Sequence, residues 1–242
     1  MTARQLPLPI PARPAYDEAS FLTAACNAAA RAWLGRTELW PDQRLALWGD
    51  ADHGKTHLLR IWAGRTGATI LDGASLTGFP EIASPHGVAV DDADRAEEAA
   101  LLHLLNTARD LGRPVLLAGR AAPARWTVGL RDLASRLRAI TAVEVGAPDD
   151  ALLRGLLLRW LADRQLVAED PAMHERLLTR LPRSPDAILA AVARLDHDAL
   201  LSRRRTVTPA MLRAALLAGL ADDAEERPLA SSPAAALPVP EE

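Results

Sequence analysis

Two groups of residues in this chain have the types and spacing that phosphate chemistry needs. The first is Gly49-Asp50-Ala51-Asp52-His53-Gly54-Lys55-Thr56, which reads G-x-x-x-x-G-K-[ST]. Glycines let a backbone turn tightly enough for successive N–H groups to converge on phosphate oxygens. A helix opening at the loop adds its positive end. In such a cradle, running from Gly49 to His57, Lys55 meets the β- and γ-phosphates of ADP or ATP and the Thr56 hydroxyl binds Mg²⁺. Lys55 is also the only lysine in a chain whose Lys+Arg total is 28, so the compact ammonium is placed where arginine serves everywhere else. The second group is Gly87-Val88-Ala89-Val90-Asp91-Asp92, an apolar run ending in two carboxylates. As a Walker B element, its Asp91 would hold the Mg²⁺ hydration shell and its Asp92 would orient or activate the attacking water. As a plain strand end, the same aspartates would start a helix.

Other chemistry is poorly supplied. His53, His57 and His103 have no metal-ligand spacing. Cys26, the single cysteine, has no identifiable catalytic partner and cannot form a disulfide within the chain, which fits a reducing, cytoplasmic setting.

The elements that must position these groups can be read from periodicity. Residues 45–48 form a buried strand before the loop and residues 57–63 continue as a helix, giving the strand–loop–helix order the first motif requires. Further strands are predicted at 68–71, 88–90, 115–119 and 140–145. Helices are predicted at 24–34, 93–111 and 130–137. From Pro148 onward the pattern is helical: 149–165, 171–180, 184–197 and 209–220, with Asp149 or Asp150, Asp170-Pro171, Ser184-Pro185 and Thr208-Pro209 as starts. The expected class is α/β, a P-loop core with a five-stranded parallel sheet followed by a small all-helical lid. The expected division is a tail at 1–14, a core at 15–147, a lid at 148–220 and an Ala-, Pro- and acid-rich disordered tail at 221–242.

With 242 residues and a net charge of −3, the chain has ample material for a core and no broad basic surface for nucleic acid. Arg203-Arg204-Arg205 is too small a cluster to change that. No membrane-length apolar run and no signal-peptide pattern is present. The N-terminus carries Gln5-Leu6-Pro7-Leu8-Pro9-Ile10. It is open to two readings: an extended tail, or a linear motif whose Gln5 enters a polar pocket while Leu6, Leu8 and Ile10 fill apolar ones. Tyr16 and Phe21 could equally cover an adenine ring or pack into the core.

Taken together, four stretches resemble the AAA+ ATPases of the bacterial replication-initiator group, the DnaA family, and within it the Hda-like regulators. They are residues 5–10, similar to the clamp-binding motif of Hda-like proteins; Gly54-Lys55-Thr56-His57-Leu58-Leu59; Val90-Asp91-Asp92-Ala93; and Gly129-Leu130-Arg131-Asp132-Leu133-Ala134-Ser135-Arg136-Leu137, similar to the stretch bearing an arginine finger. The resemblance implies docking on the DNA polymerase sliding clamp through the tail, self-association as an option, and promotion of ATP hydrolysis by DnaA with Arg136 as the finger. Arg131 and Arg138 are the neighbouring candidates for that role. It implies no sequence-specific DNA binding of the chain's own, because no helix-turn-helix follows the lid. Two departures from the family pattern, Arg120 at the strand-end sensor position and Asp186 where a lid arginine is expected, imply weak intrinsic hydrolysis. The alternatives are an autonomous ATPase, such as a helicase loader or remodeller acting on nucleic acid, and a nucleotide-free scaffold.

Overall fold

The computed structural model describes residues 21–170 and 172–226, the side chains of 218–226 excepted. The tail motif at 5–10, Tyr16 and the residues beyond Glu226 lie outside the described residues. In chain order the elements are α1 (Ala25–Leu34), β1 (Arg44–Trp48), α2 (Lys55–Thr66), β2 (Thr69–Asp72), β3 (Val88–Asp91), α3 (Glu98–Asp110), β4 (Val115–Gly119), α4 (Arg131–Ala139) and β5 (Thr141–Glu144). There follow α5 (Asp150–Asp163), β6 (Val167–Ala168), α6 (Met173–Arg180), α7 (Pro185–Leu201), β7 (Thr206–Val207) and α8 (Pro209–Glu226).

Strands β1 to β5 form one parallel sheet in the order β2-β3-β4-β1-β5. Both faces are buried, as a parallel sheet requires, and the two-residue period of each strand divides its side chains between two cores. Leu45 and Leu47 of β1, Ala89 of β3, Leu116 and Ala118 of β4 and Val143 of β5 face α1 and α2, where Leu34, Leu58, Leu59 and Trp62 cover them. Ala46, Val88, Val90, Val115 and Leu117 face the other way, onto Leu101, Leu104 and Leu105 of α3 and Leu133 and Leu137 of α4. Trp40 stacks on Trp62 with ring centroids 5.2 Å apart and closes the α2 side.

A third apolar cluster lies wholly within residues 153–216, built from Leu153, Leu157 and Leu161 of α5, Leu177 of α6, Ile188, Val192 and Leu195 of α7, and Leu212 and Leu216 of α8. Its helices start where their caps dictate. Asp149 accepts from the Leu152 N–H at 2.7 Å, and Ser184 accepts from the Ala187 N–H at 3.1 Å with Pro185 at the first helical position. Periodicity did not reveal the short parallel pair of β6 and β7, which joins Val167 to Thr206 and Ala168 to Val207.

Two expectations are corrected. The span 93–111 is not one helix: Asp92 adopts a left-handed conformation (φ 46°), Ala93–Arg95 make a single 3₁₀ turn, and α3 starts only at Glu98. Loop contacts made by the acidic side chains here override the local helical preference. The chain from 221 is not wholly irregular either, because α8 runs to Glu226. Residues 221–226 are Ala, Asp and Glu without a breaker, and the first proline after them is Pro228.

Leu104 is fully buried against both α3 neighbours and the sheet. Leu104→Ala is expected to lower unfolding stability by about 2–5 kcal/mol. The check is the urea midpoint at unchanged m-value.

Candidate functional site

The carboxyl ends of the parallel strands bring four loops to one edge, the place where open α/β sheets hold ligands. The loop after β1 is the cradle. Gly49 has φ +153°, and a Cβ there would lie 2.3 Å from the Val145 carbonyl oxygen, so only glycine fits. Asp52 is left-handed at φ 60°, and Gly54, at φ 86°, caps α2. His53 makes a 2.9 Å hydrogen bond between Nδ1 and the Val145 carbonyl, tying the cradle to the end of β5. Helix geometry leaves the first N–H groups of α2, those of Lys55, Thr56 and His57, without intrahelical partners.

Lys55 sits at the centre. It is buried, and its Nζ donates to the carbonyls of Gly49 and Asp50, both at 2.7 Å. Burial pushes its ammonium below the ordinary value of 10.5; Asp92, Asp91 and Asp94 oppose that shift and Arg120 reinforces it. Those four charges are therefore the electrostatic surroundings of the lysine. Asp91 ends β3 and accepts from the Asp92 N–H at 3.2 Å. Asp92 is half-exposed and lies 3.7 Å from Arg95. The structure thus brings together the predicted residues 49–57, Asp91 and Asp92 with Arg120, which follows β4.

Phe21 packs beside the cradle. Its ring meets His57 edge-on at 5.0 Å and carries the Arg31 guanidinium 5.6 Å from its centroid. Asp186 lies in the first turn of α7, and the nearby Arg183 pairs with Asp150 at 2.6 Å.

Arg136 does not join this cluster. It lies on α4, donates to Asp132 at 3.1 Å, and its charge acts on Arg44, the first residue of β1. Arg44 is itself buried and donates to the Leu105 carbonyl at 2.9 Å. The length of β1, about 13 Å from Arg44 to Trp48 at 3.3 Å per residue, separates that edge from the cradle. Arg138 donates back to Ala134 of its own helix at 3.0 Å, and Arg131 is exposed.

Two residues near the site escaped sequence reasoning. Asp94 accepts from the Arg120 N–H at 2.8 Å, while its second oxygen, Oδ1, is buried without a hydrogen-bond partner. Glu98 accepts from the Gly129 N–H at 2.9 and 3.1 Å and from the Leu130 N–H at 2.8 Å. Nothing local marks either residue; each partner lies in a distant loop.

The residues present fit the polyphosphate of a nucleotide. The glycine cradle, the buried ammonium and the start of α2 are the donors that polyphosphate needs. Among the described residues no group of three or more His, Cys, Asp or Glu is placed to hold a metal ion. Mg²⁺ asks for less, taking one or two protein oxygens with phosphates and water, and Thr56 and Asp91 are oxygen donors of that kind.

No protein-family model matches the chain, and no curated protein sequence is detectably similar to it. Solved structures are similar in fold. Domain III of the Thermotoga maritima replication initiation protein DnaA superposes with a TM-score of 0.69 at 15% identity, covering 86% of this chain and 98% of that one. The replication initiator DnaA bound to AMPPCP and single-stranded DNA gives 0.58 at 17%, covering 74% of this chain and 64% of that one, so the chain spans less than two thirds of that protein. The Thermotoga maritima RuvB Holliday junction branch migration motor gives 0.59 at 17%, covering 85% and 72%. The fold is therefore that of AAA+ proteins: a P-loop α/β core followed by a helical region. DnaA domain III is a structural neighbour of almost equal extent. Among the described residues no helix is long and apolar enough to cross a membrane.

The two N–H donors hold the Glu98 carboxyl below its ordinary 4.5. A folded value below the unfolded one means that the clamp stabilises at pH above 4.5 and is lost as pH falls through the folded value. The difference in urea midpoint between the wild type and Glu98→Gln is therefore expected at pH 7 and should shrink as the pH is lowered below 4.5.

Proposed function

We propose that this chain is a nucleotide-binding AAA+ regulator of replication initiation, held to the sliding clamp by its tail and acting on ATP bound to DnaA. The observation that carries the reading is the division of the site between two edges of one sheet. Lys55, Asp91 and Asp92 gather at the carboxyl edge around the cradle, while Arg136 stands toward the opposite edge with Arg44. An arginine so placed is out of reach of its own cradle, and it would reach a neighbour's by leaving its 3.1 Å pair with Asp132. A guanidinium delivered from outside stabilises the charge that develops on a transferring γ-phosphoryl group, an effect worth orders of magnitude in rate.

In this reading ADP or ATP binds at residues 49–57. Mg²⁺ bound there would supply positive charge that offsets that of the phosphates. Thr56 and Asp91 would hold it, and Asp92 would orient water. Hydrolysis by the chain itself is weak, because Arg120 and Asp186 stand at the two sensor positions. The nucleotide then acts mainly as a structural ligand. Residues 5–10 supply the clamp contact, with Gln5, Leu6, Leu8 and Ile10 as anchors.

Mg·ADP at about a hundred times its Kd should stabilise the wild type by about 2.7 kcal/mol and leave Lys55→Ala unmoved, read by thermal shift. Stimulation of DnaA·ATP hydrolysis in the presence of DNA-loaded clamp should fall by about 10³-fold or more in Arg136→Ala. Clamp binding should disappear on deletion of residues 1–10. Rapid ATP turnover by the isolated chain would favour an autonomous ATPase instead.

A further inference from the structure

The residues after β3 are unusual in how their carboxylates are used. Between 91 and 98 the chain has Asp91, Asp92, Asp94, Glu97 and Glu98. Asp91, Asp92 and Asp94 act on Lys55 through their charge. Asp94, Glu97 and Glu98 hold backbone N–H groups of two loops, the 120–130 connection and the one that contains Gly78. Asp94 accepts from Arg120, Glu97 accepts from Gly78 at 3.1 Å, and Glu98 accepts from Gly129 and Leu130.

The connection between β4 and α4, residues 120–130, is thus fastened at both ends by one short segment. Its middle is fixed as well. Trp126 donates its indole N–H to Ala121 at 2.8 Å, and its ring lies over Gly119, where a Cβ would come within 2.8 Å of the ring and 3.3 Å of Asp94 Cγ. The helix that follows carries Arg136. Its N-cap is Leu130, which has no side chain able to cap, so a carboxylate from α3 fixes the entry instead.

We propose that Glu98 is a positioning residue for Arg136, and that residues 91–98 transmit the occupancy of the cradle to α4. The proposal rests on the nucleotide-binding reading above. Phosphate charge beside Lys55 changes the field at Asp91 and Asp92 first. From Asp92, itself left-handed, the chain passes one 3₁₀ turn and two extended residues, Ala96 and Glu97, to the start of α3. Asp94 and Glu98 move with it and take the two ends of the 120–130 connection with them. Coupling calls for an element whose arrangement both sites bias; this segment lies in the field of Lys55 at one end and is hydrogen-bonded to the start of α4 at the other.

The test is amide hydrogen exchange on the full chain with and without Mg·ADP, in the wild type, Glu98→Ala and Glu98→Gln, with the ADP thermal shift measured on the same samples. ADP should raise Tm in all three. In the wild type it should also slow exchange in peptides spanning 127–139, by roughly two- to tenfold, the effect of one hydrogen-bonded contact. In Glu98→Ala that slowing should vanish while the Tm shift stays. Glu98→Gln, which keeps one acceptor oxygen, should retain part of it. A merely structural clamp would change exchange equally with and without ADP. Equal ADP protection at 127–139 in the wild type and both variants overturns the proposal. So does a wild type whose Tm responds to ADP while 127–139 does not. Should Glu98→Ala fail to fold, the wild-type and Glu98→Gln arms decide. A wild type whose Tm ADP does not move overturns the nucleotide reading and this proposal together, and that failure is distinct because it shows in the thermal shift.

Discussion

A single ammonium buried among backbone carbonyls and carboxylates sets the terms for this molecule. Lys55 Nζ lies 2.7 Å from two carbonyl oxygens of the loop that precedes it, and three aspartates offset the cost of its burial. Everything that makes this arrangement possible is structural. β1 must end at Trp48 so that the cradle can begin at Gly49. β5 must run alongside so that the Val145 carbonyl can meet His53. β3, two strands away from β1 across β4, must end in Asp91. A parallel sheet is the frame that delivers all these ends to one edge.

Much of this was legible in the sequence because it is local. The motif of the cradle, residues 49–56, is eight consecutive residues whose glycines occupy the positions with φ of +153° and +86°. The strands are short apolar runs, and the lid helices carry their own caps at Asp149 and Ser184. What stayed hidden is non-local. The partner of Asp94 lies 26 positions away, that of Glu98 31 or 32, and that of Arg44 61. The break at 92–97 is the clearest case. Its composition favours helix, and a continuous helix over 93–111 satisfies every local rule. Three long-range carboxylate contacts select a turn instead. The pairing of β6 with β7 was missed for the same reason: two residues in each strand leave no periodicity to read.

The site and the stability of the chain are not separate matters here. Gly119, the last residue of β4, is wedged between Trp126 and Asp94, and the same aspartate leaves one oxygen buried without a partner. The separate apolar cluster of residues 153–216 shows the contrast. It is built of leucines, other aliphatic side chains, alanines and Met173.

The placement of Arg136 and Lys55 at different edges has a geometric consequence. A contact that brings the edge of one molecule onto the cradle of the next joins two unlike surfaces. Such a contact is head-to-tail, has no two-fold axis, and leaves one of each surface unsatisfied at the ends of any open assembly. If copies of this chain met in that way alone, they would grow into a ring or an open helix, never a closed pair. A one-to-one encounter with a different protein through the Arg136 edge would still leave this chain's own cradle facing outward, open to the next neighbour.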